Sequence, residues 1–126
     1  MSNPADCRYT ETHEWVRVDG DVVTVGLTQH AADELTDVTF VEMHAAGSAV
    51  TPGESMGEVE SVKATSDVYS PVPGEIIEVN DALESDPSVV NSDPYAAGWL
   101  VKIKASDTGP IDALMDAATY TEKYPA

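Results

Sequence analysis

The chain has little positive charge: six Lys and Arg residues stand against 23 Asp and Glu residues, which gives a formal net charge of −17. Nucleic acids and anionic membrane surfaces are both bound through Lys and Arg, so this composition argues against both kinds of partner. The acidic residues are spread along the chain, as is typical of a halophilic protein whose charge repulsion is screened by salt. An ordinary acidic protein from a low-salt organism is the alternative.

Cysteine and long apolar segments are also scarce. Cys7 is the only cysteine, so no disulfide can form within one chain, and a reducing compartment is indicated. We expect Cys7 to lie near a fraying end and to have no chemical role. The N-terminal residues form no apolar signal segment, and no stretch approaches the roughly 20 apolar residues of a membrane-spanning helix. The sequence therefore predicts a cytoplasmic protein.

Motifs for catalysis, nucleotide binding and metal binding are missing. No glycine-rich phosphate loop follows a predicted strand. His13, His30 and His44 lack the spacing of metal ligands, both to one another and to Cys7. Carboxylates are so frequent that pairs of them cannot be interpreted as acid–base dyads. We therefore expect no catalytic residue and no metal site, and a protein that is not an enzyme by itself.

Alternating apolar and polar residues are the main structural signal. With 126 residues, of which 42% are hydrophobic, the chain suits one domain, 1–126, with a single core. Residues 15–18 and 22–25 flank Asp19-Gly20-Asp21 and predict a β-hairpin. A short helix is predicted over 28–35, with Thr28 as its N-cap, and a strand over 38–42.

A weak internal repeat occupies residues 47–80. Pro52-Gly53-Glu54 recurs 21 positions later as Pro73-Gly74-Glu75, and the copies precede strand-like runs at 56–59 and 76–79. The repeat predicts two related halves of a small β-sandwich, although chance recurrence of a common turn tripeptide is an alternative.

The last third of the chain combines turns, one strand and a helical pattern. Residues 83–91 are rich in turn formers, and 99–104 predict the last strand. From Ile111 onward, we expect a helix whose apolar face contains Ile111, Leu114, Met115 and Ala118, followed by a short turn at 119–124.

Lys63 lies in a polar break between two predicted strands, midway between the repeated tripeptides. Its neighbours Val62 and Ala64 are uncharged, so the ammonium group projects without a competing cation. An exposed hairpin lysine is most often only a solvated charge. The alternative is the attachment point of a prosthetic arm, because an amide on the amine removes its charge and makes a long flexible tether.

Several segments between Tyr9 and Tyr124 favour the prosthetic arm. The chain resembles the H proteins of the glycine cleavage system, which are lipoyl carriers, in the segments THEWV (12–16), VGLT (25–28), ESVKATSDVYSPVPGEIIEVN (60–80), NSDPY (91–95) and GWLVKIK (98–104). Biotin carriers have Met on both sides of their lysine, and lipoyl domains of 2-oxo acid dehydrogenases place Asp before it.

The resemblance implies a mainly β fold, the lipoyl/biotinyl-type barrel-sandwich hybrid, or hammerhead, of two antiparallel sheets with short peripheral helices. Its lipoyl hairpin would cover about 56–70, and a C-terminal helical segment about 107–124. Lipoate would be bound covalently to Lys63 as a swinging arm. The arm would carry the aminomethyl group from the pyridoxal-phosphate-dependent glycine decarboxylase (P protein) to the tetrahydrofolate-dependent aminomethyltransferase (T protein). Dihydrolipoamide dehydrogenase (L protein) would reoxidise it.

The resemblance also implies a cleft that receives the loaded arm and a surface that lipoylating enzymes recognise. The cleft candidates are Glu14, Asp67, Thr12, His30, Leu27 and Leu35, where burial would protect a labile adduct from water. The recognition candidates are Glu60 and Gly74, and Gly74 is expected to permit a turn conformation that other residues resist. Plain surface or structural roles are the alternative for each of these residues.

The chain departs from the family pattern at Thr36, where Gly commonly follows the helix, so helix termination is expected to differ. Two other functions stay open. One is an H-like lipoate-binding protein for lipoate relay or sulfur oxidation. The other is an unmodified binding module in which Lys63 is only a surface charge.

Overall fold

The computed structural model describes residues 6–124. The strands are β1 (Arg8–Tyr9), β2 (Glu14–Asp19), β3 (Val22–Leu27), β4 (Val38–Met43), β5 (Ala49–Val50), β6 (Ser55–Ser61), β7 (Thr65–Tyr69), β8 (Gly74–Val79) and β9 (Val101–Ala105). The helices are α1 (Gln29–Leu35), α2 (Ala82–Ser85), α3 (Val89–Ser92), a 3₁₀ helix (Gly109–Ala113) and α4 (Ala117–Lys123). Within this range, no helix is both long and apolar enough to cross a membrane.

The strands form two antiparallel sheets, as expected for the hammerhead fold. One sheet has the order β1-β2-β3-β9-β8-β5, and the other has the order β4-β6-β7. Apolar side chains from both sheets form the main core, among them Val25, Met56, Val59, Ile76 and Ile103, each fully buried. Strand β7 is an edge strand of the smaller sheet, so one side of its backbone is available to other groups.

The first predicted hairpin is confirmed. Strands β2 and β3 pair from Glu14↔Leu27 to Asp19↔Val22, which leaves Gly20-Asp21 as a two-residue turn. Gly20 has φ of +66°, a value that glycine adopts without steric cost. This hairpin places Glu14 and Leu27 opposite each other at the far end from the turn.

Helix α1 begins as predicted, because the Thr28 hydroxyl accepts a hydrogen bond from the Ala31 N–H at 3.2 Å. Its end is unusual: Thr36 has φ of +63° and ψ of −132°, a conformation that normally requires glycine. Asn91 stabilises this end by donating to the carbonyls of Ala32 and Thr36 and by accepting the Val38 N–H. Threonine therefore occupies the glycine-type backbone position and is held there by a neighbouring side chain.

The C-terminal prediction of one apolar helix face from Ile111 onward is wrong. The 3₁₀ helix ends at Ala113, and the backbone of the next residue, Leu114, is extended. Met115 then pairs with Tyr9, with N–H···O distances of 2.8 and 3.0 Å, before α4 begins. This pairing breaks the helix, because the backbone groups of Met115 bond to Tyr9 instead of to the preceding turn.

Other local differences concern residues near Tyr9 and residues 83–91. Strand β1 was not predicted, and Cys7 beside it is 2% exposed rather than lying at a fraying end. Burial raises the pKa of the Cys7 thiol to about 11, which makes it unreactive. Helices α2 and α3 occupy the segment expected to consist of turns. The first tripeptide precedes β6, and its Gly53 has φ of +81° in a turn, whereas the second runs into β8, whose first residue is Gly74.

Candidate functional site

Lys63 lies at the tip of the β6–β7 hairpin. The last paired residues are Glu60 and Thr65, and the turn is closed by the Ser61 N–H, which donates to the Ala64 carbonyl at 2.8 Å. The Ser61 hydroxyl oxygen also accepts the N–H groups of Lys63 at 3.2 Å and Ala64 at 3.0 Å. The backbone at the attachment candidate is therefore ordered by the hairpin and by one serine side chain.

The Lys63 side chain is exposed and makes no hydrogen bond or ion pair with any other residue in 6–124. Its neighbour Val62 is 69% exposed, and the Val62 N–H donates to the Asp37 carbonyl at 3.1 Å, which anchors the tip to the segment before β4. The amine is thus accessible to a modifying enzyme, while the turn beneath it is fixed.

Glu14, the first residue of β2, is a fully buried carboxylic acid. Its Oε1 accepts hydrogen bonds from the hydroxyls of Thr10 and Thr12, each at 2.5 Å. The Tyr69 N–H lies 3.5 Å from its Oε2. Burial raises the pKa of Glu14, and the hydrogen bonds to the carboxylate oppose that rise only in part.

The four-residue hairpin loop between β1 and β2, residues 10–13, brings these groups together. The His13 N–H donates to the Thr10 carbonyl at 3.2 Å, and the Thr10 N–H donates to the Glu14 carbonyl at 3.0 Å. His13, the last loop residue, has φ of +69°, in the left-handed region that residues other than glycine seldom adopt. The loop thereby turns the hydroxyls of Thr10 and Thr12 towards one oxygen of Glu14.

Rings pack around His13. Its Nδ1 lies 2.8 Å from the Tyr120 hydroxyl, and its ring centroid lies 4.7 Å from that of His30 and 4.6 Å from that of Tyr124. Burial lowers the pKa of His13, and the neighbouring His30 adds to this effect, so the ring is neutral at pH 7. These contacts hold the left-handed residue in place.

A cavity of about 410 Å³ opens beside Glu14. Its walls are mostly apolar, and its polar side is formed by the Glu14 carboxylate and the two threonines; the lining residues are Thr10, Thr12, Glu14, Pro52, Gly53, Tyr69, Ser70, Pro71, Pro110 and Leu114. A mainly apolar pocket with a few converging polar groups is the usual form of a small-ligand site.

Strand β7 connects Lys63 with this cavity. It begins two residues after Lys63 and ends at Tyr69, which lines the cavity. Four residue steps along a strand cover about 13 Å. Thr65, Asp67 and Tyr69 alternate with the buried side of the strand, so they share its outer face. A tether on Lys63 can therefore follow one strand to Glu14.

The structure brings together three of the six cleft candidates. Glu14 and Thr12 meet at the cavity, and Asp67 lies next to it, with its carboxylate 3.5 Å from the Tyr69 hydroxyl. The other three do not line this cavity. Leu27 and Leu35 are core residues with 1% and 6% exposure, and His30 packs on His13 and Tyr124 and lies 3.6 Å from Glu34.

The two recognition candidates occupy different surroundings. Glu60 is exposed on β6, three residues before Lys63. Gly74 has no left-handed backbone, so the expected turn conformation is wrong. A Cβ on Gly74 would lie 2.3 Å from the Lys104 carbonyl oxygen. Glycine is therefore needed there because β8 and β9 approach closely.

Thr10 and Tyr69 are site residues that the sequence interpretation missed. Strand alternation after Lys63 could have identified Tyr69, because it falls two residues after Asp67 on the same face. Thr10 had no comparable signal, since its contact with Glu14 depends on the shape of the loop between them.

Comparisons with known proteins agree with this arrangement. The family model described as Glycine cleavage H-protein matches residues 7–125. The glycine cleavage system H protein of Myxococcus xanthus is 53% identical over 118 residues, which cover 94% of this chain and 92% of the relative. That of Alteromonas mediterranea is 54% identical over 122 residues, which cover 95% of each chain.

A solved structure extends the likeness to three dimensions. The crystal structure of a glycine cleavage system H protein from Mycobacterium marinum superposes with a TM-score of 0.88 at 40% identity, and the match covers 96% of this chain and 98% of that one. Since the family model spans nearly the whole sequence and curated relatives share about half of their residues with it, this chain belongs to the glycine cleavage H-protein family.

Proposed function

We propose that this protein is the lipoyl-bearing shuttle of the glycine cleavage system, with lipoate in amide linkage to Lys63. The observation that carries the proposal is the exposed, unpaired amine of Lys63 at the tip of an ordered hairpin in a chain of this family. When bound, lipoate supplies the dithiol–disulfide pair that takes the aminomethyl group from the P protein, delivers it to the T protein and is reoxidised by the L protein.

The residues of the chain suit a carrier rather than a catalyst. Ser61 and the paired strands β6 and β7 hold the base of the arm, so its free end samples a limited volume around the tip. No residue of this chain is assigned a catalytic step, and the chemistry belongs to the partner enzymes and their cofactors. The cytoplasmic location stays a prediction.

We further propose that the loaded end of the arm rests in the cavity beside Glu14. Glu14 is buried, and the ion pairs within residues 6–124 do not include it. A buried anion without a cationic partner is costly, and the amine of an aminomethyl group would supply the missing positive charge. Thr12 lines the same cavity, Asp67 lies beyond the Tyr69 hydroxyl, and the apolar walls limit the access of water.

Glu60 is proposed as a contact for lipoylating enzymes, since it is exposed on the same hairpin as Lys63. Gly74 would contribute indirectly through the close approach of β8 and β9. We do not extend the cleft to His30, Leu27 or Leu35, because these side chains do not line the cavity.

The attachment site is tested with Lys63→Arg and with Lys104→Arg, a matched change at another exposed lysine. Both proteins are incubated with lipoylating enzyme, weighed by mass spectrometry and assayed for glycine–bicarbonate exchange with the P protein. Lys63→Arg should remain folded and lose both the added mass and the exchange, while Lys104→Arg keeps both. Exchange by Lys63→Arg would overturn the assignment. Lipoylation of Lys63 without exchange would instead favour lipoate relay or sulfur oxidation.

The cleft is tested with Glu14→Ala and with Glu11→Ala, which removes an exposed carboxylate in the same loop. Glu14→Ala should accept lipoate normally but release its aminomethyl load sooner, because the cationic amine loses its counter-charge. Glu11→Ala should behave as the parent protein. An unchanged lifetime in Glu14→Ala would refute the proposed role of this carboxylate.

A further inference from the structure

The hydroxyl of Thr10 makes two hydrogen bonds with Glu14. Its oxygen accepts the backbone N–H of Glu14 at 3.0 Å and lies 2.5 Å from Glu14 Oε1. Because a hydroxyl carries one proton and a carboxylate carries none, Thr10 must donate that proton to Oε1. Thr10 thus contacts both the main chain and the side chain of Glu14.

Thr12 shares only part of this arrangement. Its hydroxyl also lies 2.5 Å from Oε1, while the two threonine oxygens are 3.2 Å apart. With both protons directed to Oε1, neither hydroxyl has a proton left for the other. Oε1 therefore receives two short hydrogen bonds from hydroxyls, whereas the neighbour that reaches Oε2 is the Tyr69 N–H at the longer distance of 3.5 Å. The second oxygen thus keeps more acceptor capacity than Oε1, and Glu14 lines the cavity.

Within residues 6–124, neither an ion pair nor a hydrogen bond joins a Lys or Arg side chain to Glu14. Titratable groups placed around it include His13, which burial keeps neutral, Tyr120, whose pKa the charge of Glu14 helps to raise, Tyr69, which lines the same cavity, and Asp67 beyond Tyr69. Hydroxyl and amide donors must therefore stabilise the anion, and hydrogen bonds to the charged form are what favour it.

We propose that Thr10 is a positioning residue that holds Oε1 of Glu14, keeps the carboxylate ionised and leaves Oε2 directed at the cavity as the acceptor for a cationic amine. This inference rests on the proposed cleft for the aminomethyl load. It assigns to Thr10 a role that Thr12 cannot fill alone, because Thr12 does not bind the Glu14 main chain in this structure.

The first test needs no lipoate. The Glu14 carboxyl carbon is followed by NMR during a pH titration of the unmodified parent protein, Thr10→Val, Thr10→Ser and the matched control Thr39→Val, whose hydroxyl donates to the Glu60 carbonyl on the exposed side of β4. Thr10→Val should raise the titration midpoint of Glu14. Thr10→Ser, which keeps the hydroxyl, and Thr39→Val should leave it in place.

Amide spectra report whether each variant is folded. If the valine side chain disturbs the loop, Thr10→Ala is used in place of Thr10→Val. A folded Thr10→Val or Thr10→Ala with the parent midpoint overturns the proposal. If Thr10 had only a structural role, its hydroxyl would not control the titration of Glu14. Thr10→Val would then not raise the titration midpoint of Glu14 relative to Thr10→Ser.

The second test uses the lipoylated protein loaded by the P protein. Thr10→Val should lose its aminomethyl load several-fold faster than the parent, and Thr10→Ser should match the parent. If Thr10→Val raises the titration midpoint of Glu14 but does not change the lifetime of the aminomethyl-loaded protein, the proposed role of Thr10 in holding the load is overturned. If Lys63 accepts no lipoate, the proposed function fails, but the titration of Glu14 still decides whether Thr10 controls its ionisation.

Discussion

The hydroxyl of Tyr120 lies 2.8 Å from Nδ1 of His13 and, on its other side, 2.8 Å from Oγ1 of Thr28. One phenol therefore ties α4 to the loop before Glu14 and to the N-cap of α1. The Tyr120 ring also stacks on Tyr9, with ring centroids 4.7 Å apart. The C-terminal helix is thus part of the framework that positions the Glu14 loop.

Tyr120→Phe should keep the stacking and lose both hydrogen bonds. Leaving such groups without a partner costs about 1–3 kcal/mol of unfolding free energy. Urea unfolding measures the loss, and Tyr124→Phe is the control, since the Tyr124 hydroxyl makes no hydrogen bond to another residue within 6–124. Equal stabilities of the two variants would contradict the bridging role of Tyr120.

The left-handed backbone of His13 gives a second prediction. His13→Gly loses the ring contacts but tolerates φ of +69°, whereas His13→Val loses the ring and also forces a β-branched residue into that conformation. We expect the valine variant to be less stable than the glycine variant by about 1–3 kcal/mol. Thermal or urea unfolding of both proteins measures the difference. A valine variant as stable as the glycine variant would show that the loop does not need this conformation.

The close approach at Gly74 gives a third prediction. Gly74→Ala places a Cβ 2.3 Å from the Lys104 carbonyl oxygen, so β8 and β9 must separate and weaken their pairing. We expect a loss of about 1–3 kcal/mol, as for other overpacked sites. Gly109→Ala is the control, because its nearest contact at 3.0 Å is a carboxylate that can move. If the two alanine variants unfold alike, strand approach is not the reason for glycine at position 74.

Glu14 should make stability depend on pH. Its ordinary pKa is 4.5, and burial raises the pKa in the folded state. As pH rises past about 4.5, the unfolded chain ionises first, so the native state loses stability until the pH exceeds the folded pKa. Glu14→Gln cannot ionise, so its stability relative to the parent should increase with pH across this window and then level off. Urea unfolding over a pH series measures the difference, and a decrease would contradict the assigned shift.

The acidic surface predicts stabilisation by salt. Among residues 6–124, the structure contains few ion pairs, and the formal charge of the chain is −17. Raising the ionic strength from 0.1 M to 1 M shortens the Debye length from about 10 Å to about 3 Å, so Tm should rise in molar potassium chloride. A triple variant, Glu11→Gln, Asp19→Asn and Glu122→Gln, should gain less from salt. Equal Tm values in dilute and molar salt would remove the halophile interpretation.

Local signals were sufficient for the elements that depend on short stretches of chain. The β2–β3 hairpin, the Thr28 cap and the hairpin that carries Lys63 follow from alternation, turn residues and capping within a few positions. The resemblance supplied Glu14, which composition alone could not distinguish from 22 other acidic residues.

Features that depend on distant partners could not be predicted. Met115 breaks the C-terminal helical pattern because it pairs with Tyr9, and nothing within either segment indicates the other. Gly74 was expected to adopt a turn conformation, but its requirement comes from Lys104 on a strand that lies far along the chain. Contacts of this kind are decided by tertiary packing and not by local propensity.

The way in which Ser61 closes the hairpin turn has a consequence for the transfer of the aminomethyl group between the partner enzymes. Within residues 6–124, every hydrogen bond that shapes the tip uses the backbone or Ser61, and none uses the Lys63 amine. A group added to that amine therefore leaves the hydrogen bonds of the tip unchanged, so full and empty carriers offer a partner the same backbone at the tip. An enzyme must then discriminate between them by the arm and its load. Empty carriers consequently compete with full ones for each docking site. The ratio of full to empty carriers therefore determines the rate at which the aminomethyl group is transferred.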